Sequence, residues 1–210
     1  MTWKTDIWAV IDTETTGVKA GEDRVVELGV VMRRPEFTVS SSWLVNPGCE
    51  IPAEATAVHG IKTADVAGRP TIQQVADEFF TKIADARVIV VYNWPFDSRF
   101  LTCELGDRWE AYASSRLVVD PLVVVRLDHV GRYWKGPGRH KLGSVASRLG
   151  VADDSGAHRT EADCLMCLRV LEKLLVHLPD DPRQVSNLLD VSRRRQDRDY
   201  QAYLSRTGRA

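Results

Sequence analysis

Five side chains of this 210-residue chain have the types and order needed to hold hard cations and to move a proton. Asp12 and Glu14 stand two apart in Asp12-Thr13-Glu14-Thr15-Thr16-Gly17, Asp97 closes Asn93-Trp94-Pro95-Phe96-Asp97, and His158 and Asp163 bracket a third segment. Carboxylate oxygens suit Mg²⁺ or Mn²⁺, and an imidazole titrating near neutrality can accept a proton at working pH. Strand periodicity puts Asp12 and Glu14 on one face, where two like charges repel unless a cation or a proton relieves them. Each residue also has an ordinary reading. Asp12 and Glu14 fit a solvated strand end, and Asp97, just after Pro95, favours a helix dipole. With Thr160 as N-cap, Asp163 takes the third helical position and serves a capping box, while a loop histidine such as His158 is ordinarily a surface residue.

The first two motifs follow strongly apolar runs, Ile7-Trp8-Ala9-Val10-Ile11 and Val88-Ile89-Val90-Val91. Buried strands seldom end in carboxylates without a reason. Residues 6–12, 24–33 and 37–45 read as extended segments separated by a glycine-containing turn and by Arg34-Pro35-Glu36, which predicts an antiparallel meander. Thr71-Ile72-Gln73-Gln74 is a capping-box signature, and Ile72, Val75, Ala76, Phe79, Phe80 and Ile83 recur at helical spacing behind it. Strands over 87–92 and near 117–119 then alternate with helices over about 95–105, 121–130, 142–149 and 162–178. A meander followed by such alternation predicts the α/β class, a mixed sheet with helices on its faces. Sites in such sheets form at the carboxyl ends of neighbouring strands, where Asp12 and Asp97 fall if the first and fourth strands are adjacent and parallel.

Taken together, Ile11 through Gly17, Tyr92 through Asp97 followed by Phe100-Leu101, and His158 through Asp163 resemble the DEDD superfamily of 3'-to-5' exonucleases. The likeness is to its histidine-containing (DEDDh) branch, that of the proofreading epsilon subunits of bacterial DNA polymerase III. Asn46-Pro47, His59-Gly60-Ile61, Asp120-Pro121-Leu122, Lys141-Leu142 and Leu149-Gly150 agree with it, and the likeness spans about residues 6 to 178. It implies a ribonuclease H-like fold with a five-stranded mixed sheet, two Mg²⁺ or Mn²⁺ ions on Asp12, Glu14, Asp97 and Asp163, and His158 as general base. It further implies a 3'-end pocket around Thr15, Thr16 and Gly17, with His59, Asn93 and Phe96 as further substrate contacts. Phe96 could stack on a base, although its position favours core packing slightly. The chain departs from the family pattern at Thr160, where a small residue is usual, at Tyr92, where histidine is common, and at the bulky Trp94.

A hydrophobic content of 44% is ample for one core. The formal net charge of −1 excludes attachment to nucleic acid by bulk charge and leaves a local patch as the alternative. No apolar stretch approaches the roughly 20 residues that span a bilayer, and the N-terminus lacks a signal-peptide pattern, so a cytoplasmic protein is expected. Cys164 and Cys167 form a CxxC inside a predicted helix with no second pair to complete a zinc site, which favours core packing. Residues 131–141 are basic, aromatic and glycine-rich, fitting either a nucleic-acid contact or a solvated loop. Residues 1–180 are expected to form the exonuclease domain, and 181–210 an Arg-rich C-terminal appendage. The expected activity is removal of nucleoside 5'-monophosphates from DNA 3' ends, single-stranded or frayed by preference. The rivals are an exoribonuclease, because these motifs do not report on the 2'-hydroxyl, and an accessory subunit that docks its tail on a polymerase or repair partner.

Overall fold

The computed structural model describes residues 2–136, 138–152 and 159–207. After a 3₁₀ turn at Trp3–Thr5 come β1 (Trp8–Thr15), β2 (Val25–Arg33) and β3 (Thr38–Leu44), then α1 (Ala53–His59), α2 (Thr63–Val66) and α3 (Ile72–Ile83). β4 (Val88–Val90), α4 (Trp94–Leu105), α5 (Asp107–Ser114), β5 (Leu117–Val119) and α6 (Pro121–Val125) follow. The described chain closes with α7 (Leu142–Leu149), α8 (Thr160–Leu174) and α9 (Pro182–Thr207). The strands form a five-stranded mixed sheet in the order β3-β2-β1-β4-β5, the architecture expected. β1 to β3 run as an antiparallel meander, and β4 lies parallel to both β1 and β5, with Trp8 opposite Val88 and Val10 opposite Val90.

Alternation along β1 divides the core in two. Trp8 and Val10 point into a cluster with Val123 to Val125 of α6, Val145 and Ala146 of α7, and Cys164, Cys167 and Leu171 of α8. Ala9 and Ile11 point the other way, against Phe79 of α3, Phe100 of α4 and Trp109 of α5. Both faces are covered, which is why β1 and β2 read as nearly continuous apolar runs. The predicted capping box forms at α3, where Thr71 Oγ1 accepts from Gln74 N–H and the Gln74 side chain accepts from Thr71 N–H. The buried Cys164 and Cys167 are free thiols inside the first cluster, as core packing requires.

Two boundaries differ from expectation. α6 ends at Val125 rather than near 130, because the chain turns there and Gly131 N–H closes back on the Val125 carbonyl (2.8 Å). α8 begins at Thr160, so Arg159 is the N-cap and Asp163 falls in the fourth helical position rather than the third. Its N–H donates to the Arg159 carbonyl (3.0 Å), so the capping-box role considered for Asp163 does not arise. Helix α9 occupies residues 182–207, with Val185 and Leu189 buried in the first cluster and Val191, Tyr200 and Tyr203 exposed.

The seat of α8 on the sheet depends on one glycine. A Cβ on Gly29 would lie 2.3 Å from Thr160 Oγ1 and 2.4 Å from Thr160 Cβ. Gly29→Ala is therefore expected to destabilise the fold by about 1–3 kcal/mol, the range for overpacking a close contact, measured as a lower urea midpoint. Thr160→Ala in the same chain should recover only a small part of the loss, because alanine removes Oγ1 but keeps the Cβ that would lie 2.4 Å away. Thr160 is fully buried, and its hydroxyl makes no hydrogen bond among the described residues.

Candidate active site

The site grows from the carboxyl end of β1. Asp12 and Glu14 continue the face that carries Trp8 and Val10, and that face is covered by α8. Asp163, one turn into α8, meets them there: ligand oxygens of Asp12, Glu14 and Asp163 all lie within 4.8 Å of one another. This is the carboxylate pairing that strand periodicity predicts.

Asp97 approaches from the other side of β1. Thr13 points toward α4, and its N–H and hydroxyl both donate to Asp97 Oδ1, at 3.0 and 2.7 Å. Asp97 is 3% exposed. It stands outside the three-carboxylate group, close enough that its charge is the second cause, after burial, of the rise in the Asp12 pKa. Burial pushes Asp97 itself up to about 7, opposed by the two Thr13 hydrogen bonds. Burial also lifts Glu14 to about 8, with Asp163, Glu27 and Asp97 adding to it and Arg159 opposing. Carboxylates crowded to this degree, one buried and three half-buried, demand a cation or a proton, and their oxygen donors match hard divalent ions.

The start of α4 is held by an acid whose part in the site the sequence marked only by its place in Asp120-Pro121-Leu122. Asp120, 1% exposed, accepts from Asn93 N–H (3.1 Å), Trp94 N–H (3.0 Å) and Leu122 N–H (2.9 Å). It thereby joins the ends of β4 and β5 to the first turn of α4 that carries Asp97. Asn93 adopts a left-handed conformation at that junction (φ 71°), which asparagine tolerates better than most residues.

A cavity of about 360 Å³ opens beside the acids, lined by Asp12, Tyr92, Lys141, Leu142, Ser144, Asp163 and others. The Tyr92 hydroxyl donates to the His140 carbonyl (2.5 Å), so the residue standing where histidine is common ties the end of β4 to the turn before α7. Within the 131–141 segment, Trp134 packs against the first core cluster, whereas Tyr133 is 72% exposed.

The remaining predicted contacts lie as follows. Thr15 and Thr16 are buried, with the Thr15 hydroxyl donating to the Gly17 carbonyl (2.5 Å) and Thr16 Oγ1 accepting from Arg24 N–H (3.0 Å). Gly17 leaves room for Asp23, whose carboxylate would lie about 2.4 Å from a Cβ there. His59 is buried at the end of α1, its Nδ1 accepting from Ile61 N–H (3.1 Å). Phe96 is partly buried against Phe100, ring centroids 5.0 Å apart. His158 lies outside the described residues. Sequence reasoning also passed over Glu27, although a charge in the midst of Val25-Val26-Glu27-Leu28-Gly29-Val30 is itself a signal.

A mixed sheet of this order, with an acidic cluster at the end of its central strand, is the ribonuclease H-like architecture. The Exonuclease family model matches residues 9–171, and the chain belongs to that family; it is a 3'-to-5' exonuclease. The DNA polymerase III subunit epsilon of Treponema pallidum is 29% identical over 173 residues, 81% of this chain and 77% of that protein. An epsilon-like protein of Rhodobacter capsulatus is 46% identical over 161 residues, 73% of this chain, although these make up only 21% of its own length. An uncharacterized exonuclease of Escherichia phage 186 is 32% identical over 183 residues, covering 90% of that protein. Exonuclease X in complex with 5' overhanging duplex DNA superposes with a TM-score of 0.66 at 22% identity, covering 87% of this chain and 99% of that one. Escherichia coli Exonuclease I in complex with a dA16 oligonucleotide gives 0.68 at 18% identity, over 89% of this chain and 42% of that one. Among the described residues, no helix is long and apolar enough to cross a membrane.

Proposed function

We propose that the protein removes nucleoside 5'-monophosphates one at a time from DNA 3' ends, single-stranded or frayed by preference. The observation that carries this reading is the convergence of Asp12, Glu14 and Asp163 within 4.8 Å beside the buried Asp97. These four carboxylates would hold two Mg²⁺ or Mn²⁺ ions; when bound, such ions supply Lewis-acid stabilisation of the charge that builds on the phosphate and lower the pKa of a water. Around them the chain supplies the rest. Thr13 holds one oxygen of Asp97, leaving the other for a ligand, and His158 accepts the proton of the attacking water. Thr15, Thr16, Gly17, His59, Asn93 and Phe96 are the proposed contacts for the terminal nucleotide.

DNA over RNA is supported by the relatives named as polymerase III subunits. The names of the polymerase III relatives support a proposed setting in the cytoplasm beside a polymerase or repair partner. Residues 1–180 then carry the exonuclease, and the outer part of α9, with Val191, Tyr200 and Tyr203 exposed, carries a separate docking role.

The test is a time course on 5'-labelled single-stranded DNA and RNA with Mg²⁺. A ladder shortening from the 3' end, faster on DNA, is expected. Faster loss of RNA would transfer the reading to an exoribonuclease, and intact substrates in both arms would sink the enzymatic reading altogether.

A further inference from the structure

An ion pair between a buried glutamate and a half-exposed arginine, outside the acidic cluster, fastens the helix that brings in Asp163. Glu27 on β2 is 1% exposed and sits opposite Glu14 in the β1–β2 register. Its carboxylate takes a fork from Arg159, Nη2 to Oε1 at 2.7 Å and Nε to Oε2 at 3.1 Å, and Oε2 also accepts Thr160 N–H at 3.2 Å.

Helix α8 has an arginine at its N-cap and no N-capping side chain of its own. The first amides of a helix need acceptors, and a carboxylate near that end is favoured by the dipole. Glu27 supplies both from a neighbouring strand. The same first turn rests on Gly29, where a Cβ would collide with Thr160, and is held from β3 by Ser40, whose hydroxyl donates to Glu161. The fork is directional: five guanidinium donors in one plane fit a carboxylate edge-on, which an ammonium cannot reproduce.

We infer that the Glu27–Arg159 pair is a positioning device for the third motif, setting the first turn of α8 so that Asp163 completes the divalent-ion site with Asp12 and Glu14. Resting on the metal-exonuclease reading above, it assigns Arg159 an architectural task, although its side chain is half exposed and near enough to Glu14 to look like a substrate contact.

The experiment titrates Mn²⁺ into the full-length protein without nucleic acid and then measures kcat and KM on single-stranded DNA, for wild type, Arg159→Lys and Glu27→Gln. Arg159→Lys keeps the charge and loses the fork; Glu27→Gln keeps an acceptor for Thr160 N–H and loses the ion pair. Supporting residues behind metal ligands characteristically change affinity or activity by 10- to 100-fold. Roughly tenfold weaker Mn²⁺ binding in both variants, with kcat lowered at saturating DNA and faster hydrogen exchange at the Thr160 and Asp163 amides, is expected. Unchanged Mn²⁺ binding with a raised KM for Arg159→Lys would overturn the inference and make Arg159 a substrate contact. Unchanged binding and kcat in both variants, with only a lower melting temperature, would reduce the pair to general stability. Wild-type protein that neither binds Mn²⁺ nor cleaves DNA would instead defeat the exonuclease reading itself.

Discussion

Asp12→Asn is expected to reduce DNA hydrolysis at least about 10³-fold while leaving the metal-free protein as stable as wild type or more so. The first part follows from what bound ions supply: charge stabilisation worth several kcal/mol in the transition state, each ~1.4 kcal/mol being a factor of ten in rate. Asp12 is the carboxylate on which the others converge, with Asp97, Glu14, Asp163 and Glu27 all pressing its pKa upward after burial. The second part follows from the same crowding, because a buried acid raised by like charges costs the folded state free energy when it ionises. An amide of nearly equal shape carries no such charge. Melting temperature in EDTA together with kcat on single-stranded DNA separates the two effects. Activity within tenfold of wild type would remove Asp12 from the metal site, whereas inactivity accompanied by a large fall in melting temperature would make the loss one of folding.

Much of this arrangement was legible in the chain because it follows from periodicity. Alternation of two put Asp12 and Glu14 on one face, and the placing of Asp12 and Asp97 at neighbouring strand ends was conditional on β1 and β4 being adjacent and parallel, as they are. What was not legible depends on which face meets which helix. Thr13 falls on the α4 side of β1, so Asp97 is bound through Thr13 rather than gathered into the same tight group as Asp163. Glu27 and Arg159 are 132 residues apart, and nothing in either segment alone announces the fork. Helix α1 escaped notice because most of its residues face solvent, so it carries no apolar stripe. Thr160 looked like an N-cap by residue type, yet the first turn of α8 is capped from β2, leaving Thr160 inside the helix against Gly29.

Divalent-ion binding is expected to strengthen steeply as pH rises from about 6 to 8, and the metal-free protein to lose stability over the same range. Glu14 is raised from the ordinary glutamate value of 4.5 to about 8, and Asp97 from 3.8 to about 7. Below about pH 4 both carboxyls are protonated whether the chain is folded or not, so they add no pH dependence. Between the ordinary and the raised values the unfolded chain has released protons that the folded chain still holds. The unfolded state then binds fewer protons, so folding stability falls as pH rises, until both states are ionised above about pH 8. A cation competes with those retained protons, so its binding must expel them. Calorimetric titration of Mg²⁺ at pH 6.5 in two buffers of different ionisation enthalpy should register net proton release, shrinking toward zero by pH 9. The gain in melting temperature on adding Mg²⁺ should grow over the same interval. Proton release that is absent at pH 6.5, or an ion-induced gain that is flat from pH 6 to 8.5, would mean that these carboxylates are already ionised in the metal-free protein.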